Sequence, residues 1–188
     1  MKMVHGLFKN RIPAGIFILL ACFVTAPLSA QEQIKWVDWH QVQSLMRKEK
    51  RKVLVDIYTD WCGWCKRMDA STFQDPRIVQ YVNKKYYAVK FNAEYKEDIQ
   101  FKSKIYKFMD NGKRGIHQLA IEITNGRLSY PTFVFMDEDF NTIQPLPGYQ
   151  DAETFEIITN FFGGNHYKTT PYQSFIENFK PSAVPKKP

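Results

Sequence analysis

The sequence predicts an α/β fold, a central mixed β-sheet with helices on both faces. Three observations lead there. Short β-rich apolar runs alternate with stretches of helical periodicity over the first two thirds of the chain. A polar turn, Asp137-Glu138-Asp139-Phe140-Asn141, then joins two strand-like runs into a hairpin. One amphipathic helix follows and closes the order. Composition agrees: the 188 residues are 44% hydrophobic and 15% aromatic, with only 9 Gly and 10 Pro. That excludes a disordered or collagen-like chain and supplies a core.

Residues 1–30 stand outside this order. Lys2, Lys9 and Arg11 form a basic start, residues 12–26 are almost wholly apolar, and Leu28-Ser29-Ala30 precedes the polar Gln31-Glu32-Gln33. This is the pattern of a secretory signal peptide cleaved after Ala30. Two alternatives stay open behind it. An uncleaved anchor is disfavoured because the apolar run is shorter than the ~20 residues that span a bilayer. Leu19-Leu20-Ala21-Cys22 resembles a lipobox that would lipidate Cys22, although Phe23 and Val24 continue the apolar run past it. The expected organisation is a signal peptide at 1–30, a folded domain at 31–165 and a C-terminal extension at 166–188, in an exported, periplasmic protein.

Without the leader's three basic residues, 26 Lys+Arg fall to 23 against 19 Asp+Glu, and the net charge drops from +7 to +4. This argues against nucleic acid as a partner. The cluster Arg47-Lys48 with Lys50-Arg51-Lys52 reads as a solvated helix end.

The elements follow in order. An extended start at 34–37 leads to Asp38, which can cap a helix over 39–50 with Val42, Leu45 and Met46 on its apolar face. Val53-Leu54-Val55-Asp56-Ile57-Tyr58 suits a buried central strand. A helix starts at the cysteines that follow. Asp75-Pro76 reads as the cap and first turn of a helix carrying Ile78, Val79 and Val82. Residues 86–91 form the next strand. Residues 99–109 read as a helix, 111–115 as a loop and 116–123 as a second helix ended by Asn125-Gly126. The hairpin pairs 131–136 with 141–146. Asp151 opens the last domain helix, with Phe155, Ile158, Thr159 and Phe162 on one face and Gly163-Gly164 at its end. Thr170-Pro171 starts a short helix to Phe179, and 181–188 reads as a frayed tail.

Beyond the leader only Cys62 and Cys65 remain. Two cysteines at i and i+3, opening a helix directly after a strand, can meet as a disulfide within one turn. The first sits where unpaired N–H groups and the helix dipole stabilise a thiolate, and Lys66 and Arg67 add positive potential. The second, one turn on and buried, resolves a mixed disulfide. Other readings are weaker. A zinc site needs four ligands, and His40, His117 and His166 are not at ligand spacing to the pair. A c-type haem site needs His after the second cysteine, where Lys66 stands. A purely structural disulfide over so short a loop hardly constrains the unfolded chain, yet it stays open. No metal and no cofactor are expected.

The segment Val55-Asp56-Ile57-Tyr58-Thr59-Asp60-Trp61-Cys62-Gly63-Trp64-Cys65-Lys66 resembles the strand and active-site segment of the thioredoxin superfamily. Lys90 in Val89-Lys90-Phe91-Asn92, Tyr130-Pro131-Thr132 and Asn141 to Gly148 are similar to that superfamily's lysine-bearing strand, cis-proline loop and final hairpin. The resemblance covers residues 34–162 and is nearest to exported bacterial proteins such as the soluble domains of DsbD-type reductases. It implies a thioredoxin fold with an insertion before the cis-proline loop, in residues 94–114. It implies Cys62 as nucleophile, Cys65 as resolving thiol, and Asp56 as the buried acid that exchanges a proton with Cys65. Lys90 is then either the auxiliary partner of Asp56 or an ordinary exposed strand lysine. Pro131 would be cis against the cysteines, Tyr130's backbone would pair with an extended substrate segment, and Trp61, Gly63 and Trp64 would complete the substrate-binding set. Gly63-Trp64 and Tyr130 depart from the usual thioredoxin residues at positions that tune redox poise.

The implied function is a thiol–disulfide oxidoreductase that reduces disulfides of exported proteins. Oxidants of the superfamily often carry a large helical insertion for which this chain lacks room. A membrane electron donor of DsbD type would resupply it, and the protein is expected to be a monomer. Two alternatives remain: an oxidase or isomerase using the same residues, and a non-catalytic binding module with a structural disulfide, fed by aromatics such as Trp36, Trp39, Tyr86, Tyr87 and Tyr172.

Overall fold

The computed structural model describes residues 32–183; the expected leader and the end of the expected tail lie outside the described residues. In chain order come β1 (Trp36–Val37), α1 (Trp39–Lys48), β2 (Lys52–Tyr58), α2 (Gly63–Ala70), a 3-10 turn (Thr72–Gln74), α3 (Pro76–Lys85) and β3 (Tyr86–Asn92). Four short strands follow: β4 (Ile99–Phe101), β5 (Lys104–Tyr106), β6 (Phe108–Met109) and β7 (Ile116–His117). Then come α4 (Gln118–Ile123), β8 (Thr132–Met136), β9 (Thr142–Pro147), α5 (Ala152–Gly163), a second 3-10 turn (His166–Lys168) and α6 (Tyr172–Asn178). No helix among the described residues is long and apolar enough to cross a membrane.

The helix starts obey local chemistry. Asp38 Oδ1 accepts the Gln41 N–H at 2.8 Å while Gln41 Oε1 accepts the Asp38 N–H at 3.0 Å, a reciprocal cap. Asp75 caps α3 ahead of Pro76, and Asp151 caps α5 through the Thr154 N–H at 2.8 Å. At the end of α5, a Cβ on Gly163 would meet the Tyr81 ring and the Tyr86 hydroxyl at 2.9 Å, so glycine lets the helix close on α3 and β3 without displacing these tyrosines.

The main sheet runs β1-β3-β2-β8-β9. β3 is parallel to both β1 and β2, whereas β8 is antiparallel to β2 and to β9. Central β2 is paired on both edges and buried on both faces, which explains its apolar run from Val53 to Ile57, interrupted only by Asp56. Alternation sends Val53, Val55 and Ile57 toward α1 and α4, where they pack with Trp39, Leu119 and Val134. Leu54 goes to the other face with Met68, Ile78, Phe133 and Phe155, under α2, α3 and α5. Phe133, Phe135 and Phe155 are fully buried there, each contributing on the order of 2 kcal/mol by burial. Of the aromatics considered for a partner surface, Trp39 and Tyr86 are core residues, and Tyr172 is exposed.

Two expectations are corrected. Residues 99–109 are not a helix but strands: β4 pairs antiparallel with β5, and β6 with β7. Ile99, Phe101 and Tyr106 are buried while Gln100 and Ile105 point out, a two-residue period, and Lys102 takes the left-handed backbone (φ 54°) that turns the ribbon. The basic cluster is not wholly a solvated helix end either. Lys52 begins β2, is buried, and pairs with Glu138 at 2.6 Å.

Candidate functional site

The β2–α2 junction delivers the two cysteines. β2 ends at Tyr58, the chain turns through Thr59–Trp61, and Cys62 becomes the N-cap residue of α2. Its Sγ accepts the Cys65 backbone N–H at 3.0 Å, so one of the helix's unpaired donors is aimed at this sulfur. Cys62 and Cys65 are joined in a disulfide with their Cα atoms 5.3 Å apart. Both are buried, and the two tryptophans around them are not: Trp61 is 48% and Trp64 55% exposed. A Cβ added to Gly63 would meet nothing within 4 Å, so the backbone between the cysteines faces open space.

Three loops frame this pair. The Tyr130–Pro131 peptide bond is cis, and Tyr130 meets Trp61 edge-on at 5.6 Å between ring centroids. The Pro131 carbonyl accepts the Gly148 N–H at 2.8 Å, at a backbone conformation (φ 95°) that glycine allows. Just beyond, Tyr149 packs against Trp64 at 5.3 Å. The third frame is the excursion between β3 and α4. From it Glu94 Oε1 accepts the Trp61 indole N–H at 3.0 Å, and the Arg114 guanidinium lies 4.3 Å from the Trp61 ring centroid.

In β2, the strand that leads to the cysteines, Asp56 lies at the centre of the sheet, opposite Lys90 on β3 and Phe133 on β8. It is 1% exposed; Oδ2 accepts from Lys90 Nζ at 2.6 Å, and Oδ1 has no hydrogen-bond partner among the described residues. Burial pushes its carboxyl up to about 6, although the Lys90 charge and hydrogen bond pull the other way. Lys90 is not an exposed strand lysine. Its ammonium sits among the rings of Trp36, Tyr58 and Phe73 and bonds both Asp56 and Asp69. Burial pulls the Lys90 ammonium down in pKa, but the two carboxylates outweigh that and leave it raised.

Thus Trp61 meets Tyr130 beside the helix start that carries Cys62, Gly63, Trp64 and Cys65, with Pro131 buried directly after Tyr130 and the Asp56–Lys90 pair inside the sheet. Four participants were not legible as such. Asp69 stands four residues after Cys65 and so on the same helical side, a spacing that could have exposed it. Glu94, Arg114 and Tyr149 have no local signal. Among the described residues no three His, Cys, Asp or Glu side chains cluster as metal ligands.

The chemistry of this arrangement is that of a dithiol/disulfide couple at a helix start, with a buried carboxyl of raised pKa in the adjoining strand. Known proteins agree. Over 104 residues the chain is 26% identical to the thiol:disulfide interchange protein DsbD of Haemophilus influenzae, a match covering 54% of this chain and 15% of that one. The chain thus spans a small fraction of that curated relative. A thioredoxin-fold protein from Helicobacter pylori superposes with a TM-score of 0.55 at 19% identity, over 79% of this chain and 89% of that one. A putative disulphide isomerase from Bacteroides thetaiotaomicron does so with a TM-score of 0.50 at 21% identity, over 72% and 97%. These likenesses confirm the thioredoxin fold. The model of the thioredoxin-like domain family matches residues 40–163, the whole of the sheet beyond β1 together with its main flanking helices, and the chain belongs to that family.

Proposed function

We propose that this protein is a periplasmic thiol–disulfide oxidoreductase that reduces disulfides of exported proteins by cycling Cys62 and Cys65. The observation that carries the reading is the disulfide at the N-cap of α2, its Cys62 sulfur receiving a backbone N–H. The same donor stabilises the thiolate once the bond is reduced, which makes Cys62 the nucleophile.

In the cycle the Cys62 thiolate attacks one sulfur of a substrate disulfide. A mixed disulfide forms and one substrate thiolate leaves. Cys65 then loses its proton to ionised Asp56 and attacks the Cys62 sulfur. The second substrate thiolate departs and the Cys62–Cys65 disulfide returns. Asp56 suits this step because burial places its titration near neutrality, and Lys90 holds it in position. Tyr130 and cis-Pro131, with Trp61, Gly63 and Trp64, form the surface on which an extended substrate segment lies. Two electrons per turnover must come back from a dithiol donor; a membrane carrier of DsbD type fits a chain that is similar to DsbD and whose first thirty residues have the pattern of an export leader.

The test is reduction of insulin or a peptide disulfide. Cys62→Ser is expected to abolish it, and Cys65→Ser to accumulate mixed disulfides through Cys62. Turnover by Cys62→Ser would remove the nucleophile. Direction is tested by the equilibrium potential: near −270 mV the pair is a reductant, near −120 mV an oxidant, on the scale set by thioredoxin and strong oxidants.

A further inference from the structure

The two tryptophans that flank the cysteines each carry a guanidinium. Arg114, at the end of the excursion, lies over Trp61 at 4.3 Å. Arg67, on α2, lies 5.4 Å from the Trp64 centroid and 5.5 Å from that of Tyr149. The disulfide is thus bracketed, on the cis-proline side by one indole–guanidinium pair and on the β9–α5 side by another. Both arginines are exposed, and neither has a carboxylate partner among the described residues. Of the nearby acids, Asp69 is paired with Lys90, while Glu94 Oε1 accepts the Trp61 N–H at 3.0 Å and Asp60 Oδ2 the Asn92 amide at 3.1 Å, and none of the three forms an ion pair with either arginine.

A guanidinium resting on a ring uses its face and keeps its in-plane N–H donors free for a carboxylate. The ring also limits the side chain's freedom, so less entropy is lost when it grips a ligand. Two such cations, preset on either side of one disulfide, form a recognition device for anionic groups near the reacting sulfur.

We infer that Arg67 and Arg114 select substrates, and that the preferred substrate is a polypeptide disulfide whose cysteine is flanked on both sides by Asp or Glu. The inference rests on the dithiol reading above and gives the 94–114 excursion a role, that of placing Arg114 on Trp61. No other part of the cycle changes. Cys62 attacks the peptide sulfur, one peptide thiolate leaves, Cys65 closes the protein disulfide and the second peptide thiolate follows.

The test uses the purified protein, reduced beforehand with dithiothreitol and then freed of it. Three symmetric peptide disulfides are compared, alike except that the residues flanking cysteine are Glu, Ser or Lys. Each second-order rate constant is divided by that peptide's rate with dithiothreitol, which removes its intrinsic reactivity. Two exposed ion pairs predict an acidic-to-basic ratio of about tenfold in dilute buffer, shrinking as salt is added. The double variant Arg67→Gln, Arg114→Gln is expected to bring the ratio close to one, and Arg67→Glu, Arg114→Glu to invert it. Because the ratio is the readout, a general loss of rate in a variant does not disturb it. Equal rates on all three peptides would overturn the selectivity and leave the dithiol reading standing. A ratio that survives the double variants would take it away from these arginines. No reaction with any peptide would overturn both.

Discussion

Two carboxylates are buried on the side of the sheet covered by α2, α3 and α5, each 1% exposed, and the fold treats them in opposite ways. Glu156, on α5, has both oxygens occupied. Oε2 accepts from Arg77 Nη1 at 3.0 Å, and Oε1 from the Ser182 N–H at 2.7 Å. It ties α5 to α3 and to the chain beyond α6. Asp56 has one oxygen on Lys90 and the other without a hydrogen-bond partner among the described residues. The carboxyl of Asp56, half-filled in a dry site, gains by taking a proton. Burial alone therefore does not mark a catalytic acid. What separates Asp56, the proton acceptor proposed for Cys65, from Glu156 is its unfilled Oδ1.

The largest expected effect breaks the structural half of the comparison. Arg77→Ala leaves Glu156 buried with only the Ser182 N–H, and removal of one member of a buried pair costs about 3 kcal/mol or more. Arg77 also grips Asp75, the cap of α3, through two hydrogen bonds, so the loss reaches the start of that helix. Urea unfolding at neutral pH is expected to show a clearly lowered midpoint, with the disulfide and its reactivity retained in the folded fraction. An unchanged midpoint would mean that Glu156 is not held as described.

The opposite sign is expected at Asp56. Its folded pKa is raised from 3.8 to about 6, so between these values the folded protein binds the proton more tightly than the unfolded chain. That contribution to stability is fully present below about pH 4 and is lost as pH rises through about 6. At pH 8 the ionised carboxylate costs about 3 kcal/mol, at 1.36 kcal/mol per unit of pKa. Asp56→Asn is thus expected to raise stability by about 2–3 kcal/mol at pH 8 and to match the parent near pH 4, measured by denaturation at both. It should also slow resolution of the mixed disulfide at pH 7, since Cys65 loses its proton acceptor. A variant that is less stable at pH 8, or resolves as fast as the parent, would put Asp56 in the same class as Glu156.

What the sequence made legible follows the range of the interactions. The caps at Asp38, Asp75 and Asp151 are settled within four residues, and the cysteine pair within three, so one short window contains all the physics. Asp56 with Lys90 was visible only through family likeness; nothing in either strand says that the two lie opposite each other. The excursion departs from the helix its spacing predicts because Ile99, Phe101, Ile105, Tyr106 and Phe108 satisfy helical and strand spacing about equally over so short a run. What decided it was tertiary: Ile99, Phe101 and Tyr106 reach the core that holds Trp39 and Phe91. The same distance hid the Trp61 clamp, since Glu94 is 33 positions from its partner.

The smallest effects probe the surroundings of Asp56, and they should differ in direction. Lys90 stabilises ionised Asp56, whereas the negative charge of Asp69 opposes it. Lys90→Met keeps a flexible apolar chain among Trp36, Tyr58 and Phe73 but removes the cation. The pH midpoint for mixed-disulfide resolution should then move upward from about 6. Asp69→Asn leaves Lys90 to Asp56 alone and removes the like charge, so the midpoint should move downward, and by less. Asp69 is 46% exposed, which screens its field and holds the stability change within about 1 kcal/mol. Both shifts can be read from one experiment, the pH dependence of peptide-thiol release from a preformed Cys62 mixed disulfide. Shifts of the same sign would mean that Lys90 and Asp69 act through the packing of α2 on β3, and that the proton on Asp56 does not set the rate.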